Sequence, residues 1–255
     1  MSLGANGLLF DQLGADVPYI CFDKSHNHAT PDMAADGKIA LLKELQQYAE
    51  EKDPNFAIVS ELICDVFLQY LDFTHGYETQ NTSYYEFPEW LQVRSEIYRY
   101  TFPTHRMTCR FCENENEFNL AFVNGLLFEH HLEGPSGGGV LSSTVSELEA
   151  HVYALERLRE KTEVLFNTYR FVDDDGIHYQ PGCFTVKHYV GDGDAHGATA
   201  ANLGDRTASV RVLVEGKGNS ARIYTTSGKD FTEKLCDRVL TFTLEPSEAA
   251  VILFE

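Results

Sequence analysis

Apolar positions in the first two thirds of the chain alternate between strand-like runs and helix-like stripes. "ANGLLFDQLGA" reads as a short helix and "VPYICF" as a strand. A second helix follows, with Asp36 as its cap and Ile39, Leu41, Leu42, Leu45, Tyr48 and Ala49 as its apolar stripe. "DPN" breaks that helix. "FAIVS" is then a nearly continuous apolar run, the pattern of a parallel strand covered on both faces, and it leads into Glu61 and a helical "LICDVFLQYL". An aromatic-rich connection, "DFTHGYETQNTSYYEFPEW", precedes two further expected strands, "EIYRYTFP" and "GLLFEHH", with "ENEFNLAFVNG" as a helix between them. "GPSGGGVLSS" is a loop. Thr144 and Glu147 form a capping box for a helix striped by Val145, Leu148, Val152, Leu155 and Leu158, ending near Asn167.

From Tyr169 onward the period changes. Short alternating runs split by Gly, Asp and Asn turns predict an antiparallel β-sandwich. The expected organisation is two domains, an α/β domain over residues 1–168 and an all-β domain over residues 169–255.

Composition narrows the function classes. No apolar run reaches the roughly 18–20 residues of a membrane helix, so no membrane partner is expected. The opening residues lack the pattern of a signal peptide, and "MSLG" resembles an expression scar, which leaves localisation open between cytoplasmic and secreted. The formal net charge of −19, with 39 acids against 20 Lys and Arg, argues against a nucleic-acid partner. Six cysteines are too few for a disulfide scaffold, and reduced thiols are expected. Cys109 and Cys112 form one CxxC without the second ligand pair of a structural zinc site. "GPSGGG" lacks the ending of a phosphate loop, "DDDG" and "GDGDAHG" lack calcium-loop spacing, and no G-x-S-x-G serine elbow occurs.

Two acids stand where parallel α/β folds place their working groups, directly after an expected strand. Asp23 follows "VPYICF" and Glu61 follows "FAIVS". On neighbouring strands the two carboxylates flank one bond, as glycoside hydrolysis requires. His26 and His28 form an HxH that also suits a zinc-dependent hydrolase, with Asp23, His75, His105, His130 or His131 completing the ligand set. His26 and His28 themselves, Asp65, Asp72 and His75 on the Glu61 side, and His105 with Arg106 further along, are candidate sugar-hydroxyl binders. The aromatic density between Phe67 and Phe102 suits either a core or a sugar-stacking platform.

"GADVPYICFD", the following "SHNHATP" and then "DPNFAIVSELICD" resemble the middle of a glycoside-hydrolase (β/α)8 barrel of the α-amylase and α-galactosidase groups, and bacterial glycosidase-like proteins of unassigned specificity. The resemblance implies Asp23 as nucleophile, Glu61 as acid/base, a carbohydrate substrate, no organic cofactor, and a β-sandwich after the barrel. A full barrel takes about 250 residues, so residues 1–168 are expected to form a partial TIM-like barrel lacking its first strands. The chain is then expected to be a fragment or to close its barrel by self-association as a homo-oligomer. The other readings are the metal-dependent hydrolase, with Zn or Ca as its ion, and a non-catalytic carbohydrate-binding module.

Overall fold

The computed structural model describes residues 5–11, 13, 20–29, 32–61, 64–78, 89–110, 112, 114–129, 147–180 and 182–255. They form two compact units, one from Met1–Tyr77 with His105–Thr108 and one from Glu78–Thr104 with Cys109–Glu255.

The first unit begins with β1 (Gly7–Phe10), β2 (Ile20–Cys21), β3 (Asp32–Met33), α1 (Ala34–Lys52) and β4 (Ala57–Glu61). A 3-10 helix over Asp65–Tyr70 and β5 (Phe73–Glu78) follow. β1 and β4 pair in parallel from Gly7↔Ala57 to Phe10↔Ser60. β4 and β5 continue in parallel from Val59↔Phe73 to Glu61↔His75. Gly7 permits the first pairing, because a Cβ there would stand 3.0 Å from the Ala57 carbonyl oxygen. The aliphatic stripe of α1 then covers one face: Leu42 and Ala49 pack with Ile58, Phe67 and Leu71, and Phe10 lies against the same cluster. Side chains alternate along a strand, so Ile58 and Ser60 face α1 while Val59 and Glu61 face the other way.

Three sequence expectations change here. "GLLF" is β1 instead of part of a helix; a short apolar run fits either state, and Asn6 and Gly7 are weak helix formers. The described end of "VPYICF" is not in the parallel sheet. Ile20 and Cys21 pair antiparallel with Met33 and Asp32 in a separate two-stranded sheet. "LICDVFLQYL" is a 3-10 helix in its described part, burying Phe67 and Leu68.

α2 (Glu89–Thr101) occupies the place of the expected strand "EIYRYTFP". Ser95 and Arg99, four apart, are both buried, a helical spacing hidden by the local richness in aromatic residues. The Arg99 guanidinium donates to the Asn124 and Pro103 carbonyls. β6 (Arg106–Arg110), α3 (Glu115–Val123) and β7 (Leu127–Phe128) come next. Asn114 caps α3, its side chain accepting from the Glu117 N–H. α4 (Glu147–Lys161) and α5 (Glu163–Thr168) bury Val152, Leu155 and Leu158 of the expected stripe together with Leu165. Thr144, His130, His131 and "GPSGGG" lie outside the described residues, as do Tyr84, Tyr85 and Phe87. No described helix is long and apolar enough to cross a membrane.

The remaining strands are β8 (Arg170–Phe171), β9 (Ile177–Tyr179), β10 (Phe184–Val190), β11 (His196–Asn202) and β12 (Ala208–Val214). β13 (Ser220–Thr225), β14 (Asp230–Lys234), β15 (Val239–Leu244) and β16 (Ala249–Phe254) complete the chain. They form two sheets, ordered β14-β13-β16-β11-β10-β8 and β15-β12-β9. Val210, Val212 and Leu240 of the smaller sheet share one core with Val186, Ala200 and Ile252 of the larger. The larger sheet also packs against helices, through Phe122, Leu155 and Leu165 on Tyr189 and Val251. β11 is buried along its whole length. Its small residues make that possible: at Gly197 a Cβ would meet the Leu165 side chain at 2.6 Å.

Candidate functional site

β1, β4 and β5 run in parallel, so their C-terminal ends share one edge of the sheet. Glu61 closes β4 there, half-buried, and stands in register with His75 of β5. On the other side Phe10 pairs with Ser60. The ladder ends there, and Asp11 follows β1 as an exposed turn residue at the same edge. Glu61 faces away from α1, and residues aligned across parallel strands point to the same side. Glu61 and His75 therefore point to the same side at the ends of adjacent strands, Asp11 follows the third strand at that edge, and Ser60 behind them donates its hydroxyl to the Phe10 carbonyl at 2.9 Å.

Sequence reasoning passed over Asp11. The signal was present, because "GLLFD" is an apolar run ending in an acid just as "VPYICFD" is. Asp23, in contrast, follows the antiparallel strand β2 and lies on an exposed turn. Its Oδ1 accepts the Ser25 N–H at 2.8 Å. That bond, followed by the Ser25 side chain, holds the Asp23 carboxyl below the ordinary carboxylate range.

The turn after β2 gathers the two histidines. His26 Nδ1 stands 3.2 Å from Cys21 Sγ, and its Nε2 is 3.7 Å from Asp23 Oδ2. The His26 and His28 ring centroids are 5.4 Å apart, and His28 Nδ1 donates to the Ala29 carbonyl at 2.9 Å. Cys21, one of the six cysteines expected to be reduced, belongs to this group.

The remaining candidates sit elsewhere. Asp65 opens the 3-10 helix and accepts the Val66 N–H at 2.9 Å, so it does not stand one α-helical turn above Glu61. Asp72 precedes β5, and its Oδ2 accepts the Ile58 N–H at 2.6 Å. Because β4 and β5 are parallel, this is the end of the sheet opposite Glu61. His105 precedes β6, with Nε2 3.3 Å from the Thr74 hydroxyl near the start of β5, and Arg106 is the next residue. Asp72→Asn is expected to cost about 1–2 kcal/mol, the value of a hydrogen bond to an exposed charged acceptor, in urea unfolding, while leaving any glycoside turnover per folded molecule unchanged. A loss of turnover without a loss of stability would restore Asp72 to the active edge.

No family model matches the sequence, and no curated protein is significantly similar to it. Solved structures are similar in fold. An α-amylase from Geobacillus thermoleovorans, solved with acarbose, superposes with a TM-score of 0.57 at 11% identity over 85% of this chain and 57% of the amylase. A GH27 β-L-arabinopyranosidase from Geobacillus stearothermophilus gives a TM-score of 0.53 at 10% identity over 100% of this chain and 59% of its own. A GH30 endoxylanase from Clostridium papyrosolvens gives 0.51 at 14% identity, over 84% and 60%. This chain spans less than two thirds of the length of each. The likeness is one of fold alone, to part of these glycoside-hydrolase structures.

Proposed function

We propose that the chain is a glycoside-hydrolase-like protein acting on oligo- or polysaccharide by a retaining mechanism with two carboxylates. The observation that carries this reading is Glu61 in register with His75 at one edge of the parallel sheet, with Asp11 directly following the neighbouring strand β1 at that edge. Neighbouring strands lie about 4.8 Å apart, and a retaining pair needs carboxyl groups about 5–5.5 Å apart. An acid that directly follows the strand next to β4, as Asp11 does, can meet that need.

In the first step an Asp11 oxygen bonds to the anomeric carbon while the glycosidic oxygen departs with the proton of Glu61. In the second, Glu61 takes a proton from water, the water oxygen bonds to the anomeric carbon, and the ester to Asp11 breaks. His75, on the far side of Glu61, hydrogen-bonds a sugar hydroxyl. The parallel sheet with its covering helix supports a partial (β/α) barrel for this half of the protein, and the two antiparallel sheets sharing a core support a sandwich for the other.

A 2-deoxy-2-fluoro glycosyl donor with a good leaving group tests the assignment, because it stalls the ester intermediate for peptide mass mapping. The label is expected on Asp11. Label on Asp23 would return the nucleophile to the turn after β2. Absence of both label and turnover, with sugar binding retained in calorimetry, would make the chain a non-catalytic carbohydrate binder.

A further inference from the structure

We propose that Cys21, His26 and His28 form a binding site for a zinc-class metal ion, with Asp23 orienting His26 from behind. This site is independent of the glycosidase reading, which uses Asp11 and Glu61.

The geometry is that of three ligands already gathered. The Cys21 sulfur and one ring nitrogen each of His26 and His28 lie within 4.8 Å of one another, and among the described residues they are the group of three that does so. Zinc bonds of about 2.3 Å to sulfur and 2.0–2.1 Å to nitrogen place tetrahedral ligands about 3.5 Å apart. The Cys21–His26 pair, at 3.2 Å, is already at that spacing. Rotation of exposed side chains by about an ångström brings in the third.

Tautomers agree with this assignment. The Ala29 carbonyl can only accept, so His28 carries its proton on Nδ1 and a lone pair on Nε2. In His26 the nitrogen facing Cys21 is Nδ1, while Nε2 faces the Asp23 carboxylate. At 3.7 Å the Asp23 carboxylate is an ion-pair neighbour of that nitrogen, and a carboxylate beside the second nitrogen orients a metal-bound imidazole and makes it more basic. Asp23 is in turn held by the Ser25 N–H. One thiolate with two imidazoles selects a borderline-soft ion such as Zn2+ or Co2+ over Ca2+ or Mg2+, which take oxygen ligands. Three protein ligands on a half-buried to exposed turn leave the fourth position to water.

The other sulfur pair is a weaker candidate. Cys112 donates to Cys109 with the sulfurs 3.4 Å apart. That bond, and then burial, push the Cys109 thiol well above its ordinary range and oppose the thiolate a metal needs.

Titration of the full chain with Co2+ under reducing conditions tests the proposal. One equivalent is expected to bind, giving thiolate-to-cobalt charge transfer in the near ultraviolet and intense tetrahedral bands in the visible, both displaced by Zn2+. Cys21→Ser is expected to abolish the charge-transfer band. His26→Ala and His28→Ala should each weaken binding at least about tenfold, and Asp23→Asn about 10–100-fold. Cys109→Ser with Cys112→Ser should leave the spectrum unchanged. Absence of the band in the unmodified chain, or its loss with the Cys109 and Cys112 changes and survival in Cys21→Ser, would overturn the proposal. Circular dichroism of each variant separates ligand loss from misfolding, since Asp23, His26 and His28 are on a turn and Cys21 ends the two-residue strand β2.

Discussion

Glu61→Gln is expected to lower the turnover of aryl glycosides by about 10²–10⁴-fold, the contribution of a positioned proton-transfer group. The loss should depend on the leaving group. A dinitrophenolate departs without protonation, so the first step survives in the variant and the second, which needs a base to activate water, becomes limiting. An alkyl glycoside, which needs the proton, should show the full loss. Asp11→Asn removes the nucleophile and is expected to bring every substrate to background, irrespective of leaving group. Asp23→Asn should leave kcat near the unmodified value. A Glu61→Gln variant with equal activity on both substrates would remove Glu61 from proton transfer, and with it the retaining reading. The physical basis is the register: Glu61 is paired with His75 by the β4–β5 ladder, and Ser60 just before it is paired with Phe10 of β1. Its position is therefore set by backbone hydrogen bonds, not by a loop.

The largest expected effect on stability is at Lys187. This residue lies on β10, a strand buried against the larger sheet's core, and is only 7% exposed. Its ammonium donates to Glu96 at 2.7 Å and to Asp173 at 2.5 Å. Burial pulls the lysine pKa down, but the charge of Glu96, with the Asp173 and Glu96 hydrogen bonds, outweighs it and leaves the native value above the ordinary 10.5. Lys187→Met removes the cation and strands two carboxylates. Breaking a buried pair on one side is strongly destabilising, and here about 2–3 kcal/mol is expected, less than for a fully buried pair because the Asp173 side chain is 31% exposed and rehydrates.

The sign of the pH dependence follows from the raised native value. The protonated form is favoured by folding, so the stabilisation is fully present below the ordinary lysine pKa and is lost as pH rises through the native one. Urea midpoints of the unmodified chain and Lys187→Met should differ by a constant amount at neutral pH and converge above about pH 10.5. A variant as stable as the parent at neutral pH would show that the three charges are compensated by water.

Local patterns carried much of this molecule. The stripe of α1, with Leu42 and Ala49 at its centre, the stripe of α4 through Val152, Leu155 and Leu158, and β4 running into Glu61 were each legible from periodicity. So was the change to short antiparallel strands after Tyr169. Where local pattern misled, two structures were compatible with the same residues. "EIYRYTFP" carries aromatic residues that suit a strand, but its polar Ser95 and Arg99 are buried at helical spacing. "GLLF" is too short to reveal a period.

The candidate edge was legible in half. Glu61 follows an unmistakable strand, whereas Asp23 was read as its partner because only one of two apolar runs that end in aspartate was taken for a parallel strand. Strand pairing is a contact between segments about fifty residues apart, written in no local window, and only the parallel ladder between Gly7–Phe10 and β4 distinguishes Asp11 from Asp23. By the same reasoning, the direction of β5 sends Asp72 to the far end of the sheet while bringing His75 level with Glu61. The sequence by itself determined the acidic surface, the main amphipathic helices, the strand that ends in Glu61 and the antiparallel character of the C-terminal third, because each is a property of neighbouring residues. The tertiary structure alone decided which apolar run ending in aspartate pairs with the strand of Glu61, because strand pairing depends on where the chain returns, and that the turn after β2 folds His26 and His28 back onto Cys21, because turn geometry is not written in hydrophobic period.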